Sequence, residues 1–202
     1  DAELSLKHLD RYLTTLDRAK IYFTQADIDK FVFSSQDKKR QVLKERLSQS
    51  MEIFLYYKSL VRNRIERLLS NMPSYIGNMD FSIDEYLEID LDKRGWATEQ
   101  FQLDERWKKS IKNQVLSLRI TGKSQGDIIT LLEKRYQRQL KSIDQYEATD
   151  VFGLYANAIS ELYDPHTRYM SPRNSENFNI NMSLSLEGIG ALLTTEEEYT
   201  KV

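Results

Sequence analysis

Three residues near the end of the chain carry the side chains of a serine hydrolase: Asp164, His166 and Ser171. In such an enzyme the serine attacks a carbonyl, the histidine accepts its proton and the aspartate orients the histidine. The serine and the histidine must then lie within hydrogen-bond distance. Residues this close along a chain bent by Pro165 and Pro172 rarely reach that arrangement. We therefore interpret Asp164 and Ser171 as turn residues that bind nearby backbone groups.

An acidic stretch in the middle of the chain raises the question of a calcium site. Its six carboxylates are Asp80, Asp84, Glu85, Glu88, Asp90 and Asp92. Their spacing differs from that of an EF-hand loop. We therefore predict a solvated crossover over residues 71–95, with one short turn of helix and no metal site. We interpret Asp17, Asp27 and Asp29 in the same way, as helix caps and solvated charges, and His8 as a surface or packing residue.

Basic residues precede that crossover on a predicted helix over residues 37–69. This basic face consists of Lys38, Lys39, Arg40, Lys44, Arg46, Arg62, Arg64 and Arg67. A nucleic-acid site would need a groove or aromatic stacking platforms beside these cations. Phe54, which lies nearby, belongs to the apolar stripe of the same helix. We therefore predict a surface for packing or for an acidic partner, with the acidic residues 80–92 as the expected complement.

Composition limits the alternatives further. The chain has 202 residues, 40% hydrophobic and 30% charged, with a net charge of −2, so no global field attracts nucleic acid. No apolar run approaches 18 residues, so we expect no membrane span. There is no cysteine, no glycine-rich phosphate loop, no zinc spacing and no Gly-x-Ser-x-Gly motif. We therefore expect no cofactor and no catalytic residue. No leader follows Asp1, so any secretion signal is expected to have been removed.

Helical periodicity dominates residues 3–163 and predicts a multi-helix bundle. The apolar positions that define it are Leu9, Leu13, Leu16 and Phe23; then Leu43, Leu47, Met51, Phe54, Val61, Ile65 and Leu68; then Phe101, Trp107, Ile111, Val115 and Leu118; then Ile128, Leu131, Leu132, Tyr136, Leu140 and Ile143; and finally Val151, Leu154, Tyr155, Ala158, Ile159 and Leu162. The predicted boundaries are capping boxes at Thr24–Asp27 and Ser124–Asp127, an N-cap at Thr98, a left-handed stop at Gly122, and a last helix that starts at Thr149 or Asp150.

The chain changes character after this bundle. Pro165 and Pro172 predict helix stops at Asp164 and Ser171, because a proline moves the preceding residue out of the α region. Residues 182–194 alternate in part and contain two glycines, which is typical of a strand.

The same region resembles the tail-specific (C-terminal-processing) serine proteases of bacteria. The resemblance rests on the runs Asp-Pro-His-Thr-Arg-Tyr-Met-Ser-Pro-Arg-Asn at 164–174 and Met-Ser-Leu-Ser-Leu-Glu-Gly-Ile-Gly-Ala at 182–191. Looser matches at residues 11–17, 118–123, 135–136 and 150–152 extend the resemblance over nearly the whole chain.

This resemblance implies a mainly α fold: a multi-helix N-terminal domain over residues 1–174, then a linker and the first strands of a truncated PDZ domain over 175–202. The implied parent is a periplasmic serine endopeptidase, associated with membranes only through a partner, whose substrates are proteins with apolar C-terminal tails. Its catalytic serine and lysine base would lie beyond Val202, so this chain alone should be inactive. The helical part would hold the other domains and dock a periplasmic adaptor.

The resemblance also implies a peptide site. In PDZ domains a glycine-rich turn binds the terminal carboxylate through its backbone N–H groups. Gly188, Ile189 and Gly190 fit that role, with Leu186 and Leu193 as pocket or hinge residues. A plain strand with a bulge at the glycines is the alternative for this segment. For the whole chain, the alternatives are a non-catalytic helical adaptor and, on the basic face alone, a nucleic-acid binder.

Overall fold

Helices make up most of the chain, as the sequence predicts. The computed structural model describes residues 2–36, 43–183, 194–196 and 199–201. Its elements are α1 (Ala2–Leu16), α2 (Gln25–Gln36), α3 (Leu43–Leu69), α4 (Met72–Gly77), α5 (Gln100–Ile120), α6 (Gln125–Asp144), α7 (Ala148–Tyr163), α8 (Pro172–Ser183), β1 (Thr194–Glu196) and β2 (Tyr199–Lys201). They fall into two compact units, Asp1–Arg168 and Tyr169–Val202. The domain boundary at residue 174 stays a prediction.

The first unit is a bundle arranged around α3, which packs against α4, α6 and α7. α1 packs against α2 and α7, and α6 also packs against α4 and α5. Burying one large apolar side chain contributes about 1.5–3 kcal/mol, so this core supplies the main driving force for folding. Its largest fully buried side chains are Tyr12, Phe23, Leu13, Ile53, Ile65, Met72, Ile76, Leu103, Ile111, Ile128, Leu132 and Val61.

Several predicted helix boundaries are confirmed. The Thr24 N–H donates to Asp27 Oδ2 at 2.8 Å and the Asp27 N–H donates to Thr24 Oγ1 at 3.3 Å. Ser124 caps α6 by accepting from the Asp127 N–H. Gly122 ends α5 at φ 80°, where a side chain would be strained. The crossover contains one short helix, α4, as predicted.

Other sequence predictions are wrong in detail. α1 ends at Leu16, so Phe23 reaches the core from an irregular segment rather than from the face of that helix. α5 begins at Gln100, and the Thr98 N–H donates to Gln102 Oε1 at 2.8 Å; Thr98 does not cap it. Phe101 is 60% exposed and Leu131 is 38% exposed, although the periodicity placed both inward.

Residues 17–24, which we name the Asp17 loop, join α1 to α2. The Asp17 side chain is 2% exposed and accepts from the N–H groups of Ile21, Tyr22 and Phe23 at 3.0, 2.8 and 2.9 Å. Burial raises the pKa of the Asp17 carboxyl, and the three N–H groups and the charge of Arg106 oppose that rise. Asp17 therefore organises the loop from inside the core and is not a solvated charge.

The carbonyl groups of the Asp17 loop are bound from α5 and from the end of the crossover. Arg94 Nη1 donates to the carbonyl of Ala19 at 2.8 Å. Arg106 Nη1 donates to the carbonyl of Lys20 at 2.6 Å, and Trp107 Nε1 donates to that of Ile21 at 3.0 Å. In the Asp17 loop, therefore, backbone N–H groups and backbone carbonyls both have hydrogen-bond partners, as a buried segment requires.

The second unit begins with α8. The Ser175 N–H donates to the Ser171 carbonyl at 2.8 Å, and Pro172 occupies the first helical position, where its missing N–H costs nothing. Ser171 therefore starts a helix, where the sequence predicted a stop and then a linker. Met182 and Ser183 are helical rather than extended. β1 and β2 pair antiparallel, with Thr194 opposite Lys201.

Candidate interaction surfaces

The three residues with serine-hydrolase side chains have local structural roles. Asp164 Oδ1 accepts from the backbone N–H of His166 at 3.0 Å, and Oδ2 accepts from the Thr167 hydroxyl at 2.7 Å. These bonds lower the pKa of the Asp164 carboxyl. Ser171 Oγ accepts from the Asn174 N–H at 3.4 Å, at the start of α8. The interpretation of Asp164 as a turn residue is confirmed, and the Ser171 side chain binds nearby backbone as predicted, but at the start of a helix.

The basic face of α3 packs against other helices of the first unit. Lys58 Nζ lies 3.3 Å from Asp144 Oδ1 on α6, and Arg62 pairs with the same carboxylate. Arg64 pairs with Asp104 on α5. Lys38, Lys39 and Arg40 lie outside the described residues. Within the described residues no ion pair joins α3 to the acidic crossover, and the carboxylates that pair with Arg62 and Arg64 come from α6 and α5 instead. For the rest of this face the complement stays a prediction. Ion pairs that water can reach contribute little energy, so these contacts add to helix packing rather than drive it.

A different surface lies on the crossover itself. Residues 83–89, which we name the ribbon, carry three apolar side chains that are largely in solvent: Ile83 at 58%, Tyr86 at 87% and Ile89 at 86% exposed. No N–H group of the ribbon has a hydrogen-bond partner in the part of the chain that the structure describes. On the acceptor side, the Glu88 carbonyl is bound by Arg94 Nη2. A segment with exposed apolar side chains and unpaired N–H groups is the kind of edge to which an extended partner segment can add.

The ribbon is anchored at one point to α5. Glu85 forms an ion pair with Lys112, and this hydrogen bond lowers the pKa of the Glu85 carboxyl. Just before the ribbon, the ring of Phe81 lies 4.2 Å from the Arg119 guanidinium and 5.5 Å from Lys112 Nζ. A cavity of about 140 Å³ lies between ribbon and helix, with Leu116 in its wall. The ribbon is thus held in place while its outer side chains remain free to contact a partner.

The charge of the crossover limits the choice of partner. Residues 80–92 contain six carboxylates and no basic residue. Glu85 is paired with Lys112 and Asp90 with Lys93. Opposite charge steers association, so the surface favours a basic partner. Among the described residues, no three His, Asp or Glu side chains are grouped closely enough to hold a metal ion.

Comparison with known proteins identifies the family. The family model described as the tail-specific protease N-terminal domain matches residues 1–173. The chain belongs to this family. A tail-specific protease from Haemophilus influenzae is 32% identical to it over 204 residues, which cover the whole chain and 29% of the relative. The chain therefore spans less than a third of that protein's length, and the resemblance that the two sequence runs indicated is confirmed.

The sequence-predicted peptide site falls where the structure gives no placement. Gly188, Ile189, Gly190, Leu186 and Leu193 lie outside the described residues. The ribbon, in contrast, was not predicted as a surface. A signal for it was present: Ile83, Tyr86 and Ile89 recur every three residues between carboxylates, in a segment without helical periodicity. Within the described residues no helix is long and apolar enough to cross a membrane.

Proposed function

We propose that this chain is the N-terminal scaffold of a periplasmic serine endopeptidase that selects protein substrates by their apolar C-terminal tails. The single observation that carries the proposal is the match of the tail-specific protease N-terminal domain to residues 1–173. The relative that is similar over the whole chain supports it, because that protein is a tail-specific protease.

In the proposed parent protein, peptide-bond cleavage and recognition of the substrate's C-terminus take place in different regions. A serine nucleophile with a lysine base would cleave the peptide bond in a region beyond Val202. Gly188, Ile189 and Gly190 would bind the substrate carboxylate through backbone N–H groups, because glycine permits a close approach. Leu186 and Leu193 would line the peptide pocket or act as a hinge. The helical bundle would hold these parts and bind an adaptor.

Cleavage assays on the complete parent protein test this proposal. A substrate that ends in apolar residues should be degraded, and the same substrate with a charged tail should be degraded at least ten times more slowly. The 202-residue chain alone should cleave neither. Gly190→Val should abolish cleavage of tailed substrates and leave the reaction with a small serine-directed acylating probe intact. Equal degradation of both tails, or a normal rate in Gly190→Val, would overturn the tail-recognition part of the proposal.

We further propose that the adaptor docks on the ribbon through a basic extended segment. The ribbon supplies exposed apolar side chains, N–H groups without a described partner and excess negative charge in one place. Hydrogen bonds between backbones would give affinity, and Ile83, Tyr86 and Ile89 would give specificity.

Site-specific photo-crosslinking in cells tests the docking proposal. A benzoylphenylalanine in place of Tyr86 in the complete parent should crosslink to a separate polypeptide, and the same group in place of the exposed Lys134 on α6 serves as the control. The crosslink should disappear when Asp84 and Glu88 are both changed to Lys. Crosslinks within the parent alone would show that its own domains cover the ribbon, and would refute adaptor docking there.

A further inference from the structure

A second cavity lies between α1, α3 and α7. Its volume is about 190 Å³. Its apolar wall consists of Leu4, Ile159, Leu162 and Tyr163, and its polar groups include His8 and Arg46. Pockets for drug-sized ligands are larger, roughly 300–1,000 Å³, so this cavity has the size for a single residue or a similar small group.

Arg46 contributes an unpaired positive charge to this cavity. Its side chain is half-buried, and in the described structure it has no ion pair and no hydrogen bond. Buried or partly buried charges are usually paired, because desolvation is costly. Further along α3, the partly buried Lys58, Arg62 and Arg64 have carboxylate partners, whereas Arg67 is exposed to water. An anion that enters the cavity would supply the partner that Arg46 lacks.

His8 lines the same cavity. Its side chain is 5% exposed, and Nε2 lies 3.0 Å from the carbonyl oxygen of Tyr155. A carbonyl can only accept, so Nε2 carries the proton and, in the neutral ring, Nδ1 is an acceptor. Burial is the main reason that the pKa of His8 is lowered, and the positive charge of Arg46 adds to this effect. Among the described residues Nδ1 has no partner, so a ligand N–H group would satisfy it.

We infer that this cavity binds the C-terminal residue of a peptide. Such a residue combines the three features that the cavity complements: a carboxylate for Arg46, an amide N–H for His8 Nδ1 and an apolar side chain for the wall of Leu4, Ile159 and Leu162. A fatty acid shares the carboxylate and the apolar chain but lacks the N–H. The inference rests on the first unit alone and does not depend on the proposed peptidase function.

Three small probes separate these features. N-acetyl-leucine carries all three groups, N-acetyl-leucinamide lacks the carboxylate, and 4-methylpentanoate lacks the N–H. Each is titrated into the 202-residue chain, and amide chemical shifts are followed by two-dimensional NMR. N-acetyl-leucine should produce saturable shifts at Leu4, His8, Arg46 and Ile159, with a Kd on the order of 1 mM for a ligand of this size. The amide should bind at least ten times more weakly, and 4-methylpentanoate several times more weakly.

Matched substitutions on α3 complete the experiment. Arg46→Gln should weaken N-acetyl-leucine binding at least tenfold, which is the usual effect of losing a hydrogen bond to a charged group. Arg67→Gln, which removes an exposed arginine from the same helix, should leave the affinity unchanged. Thermal unfolding of both variants shows that any loss is not a folding defect.

Four results would overturn the inference. They are the absence of shifts at the cavity, equal affinity for N-acetyl-leucine and its amide, wild-type affinity in Arg46→Gln, and tighter binding of 4-methylpentanoate. The last result would assign the cavity to fatty acids instead of peptide termini.

Discussion

The Asp17 loop and the ribbon both belong to irregular connections between helices, but they treat their backbone groups in opposite ways. In the Asp17 loop, one buried carboxylate binds three N–H groups and three side chains from elsewhere bind three carbonyls. In the ribbon the N–H groups have no described partner, and large apolar side chains point into solvent. The first segment is part of the core, and the second is built like a surface that another polypeptide covers.

The largest effect should come from Asp17→Ala, which breaks the network of the Asp17 loop. It leaves three N–H groups without an acceptor, two of them buried and that of Ile21 partly buried, and each buried group costs about 1–3 kcal/mol. Because these costs do not add fully, we expect the free energy of unfolding to fall by about 3–5 kcal/mol, measured by urea denaturation of the 202-residue chain.

Asp17→Asn is the matched control, because its amide oxygen can still accept. It should lose less stability than Asp17→Ala. If both variants unfold at the wild-type urea concentration, the Asp17 loop does not hold the core together, and the contrast with the ribbon fails.

Trp107→Phe tests the carbonyl side of the same loop. It removes the Nε1–H bond to Ile21 and part of a side chain that is 5% exposed. We expect a loss of about 2 kcal/mol by urea denaturation. If Trp107→Phe unfolds at the wild-type urea concentration, the hydrogen bond to Ile21 is not needed, because water can then satisfy the Ile21 carbonyl.

Glu85→Gln tests the anchor of the ribbon. It removes the charge that pairs with Lys112 and retains the shape of the side chain. The loss of stability should be smaller than for Trp107→Phe, because no apolar packing is lost and the new amide oxygen can still accept from Lys112. The ribbon should become more accessible to limited proteolysis. Unchanged proteolysis in residues 80–92 would mean that the ion pair does not hold the ribbon on α5.

Tyr86→Ser and Ile89→Ser should have the smallest effect on stability, within about 0.5 kcal/mol of wild type, because both side chains are already in solvent. In the complete parent the same substitutions should weaken adaptor binding. A loss above 1 kcal/mol in the isolated chain would show that the ribbon is part of the core, like the Asp17 loop.

The contrast also explains what the sequence could predict. Local signals sufficed for the capping boxes at Thr24 and Ser124 and for the left-handed stop at Gly122, since each depends on a few neighbouring residues. Asp17 was misjudged as a solvated charge because its burial depends on Arg94, Arg106 and Trp107, which are distant along the chain.

The partners of Arg62 and Arg64 were missed for the same reason. Proximity in sequence favoured residues 80–92, whereas the fold brings Asp104 and Asp144 to Arg64 and Arg62. Likewise, helical periodicity predicted that Phe101 faces the core. Phe101 lies in the first turn of α5 and is exposed, and Leu103 takes the buried position instead. Family membership came from two runs of uncommon sequence and required no knowledge of packing.

Hydrogen exchange of backbone amides tests the central contrast most directly. In the 202-residue chain, we predict that the amides of Ile21, Tyr22 and Phe23 exchange at least a hundred times more slowly than those of residues 83–89, which should exchange at nearly the rate of an unfolded peptide. Equal protection of the two segments would contradict the account, because the ribbon would then have partners within the fold and would not be a surface open to another polypeptide.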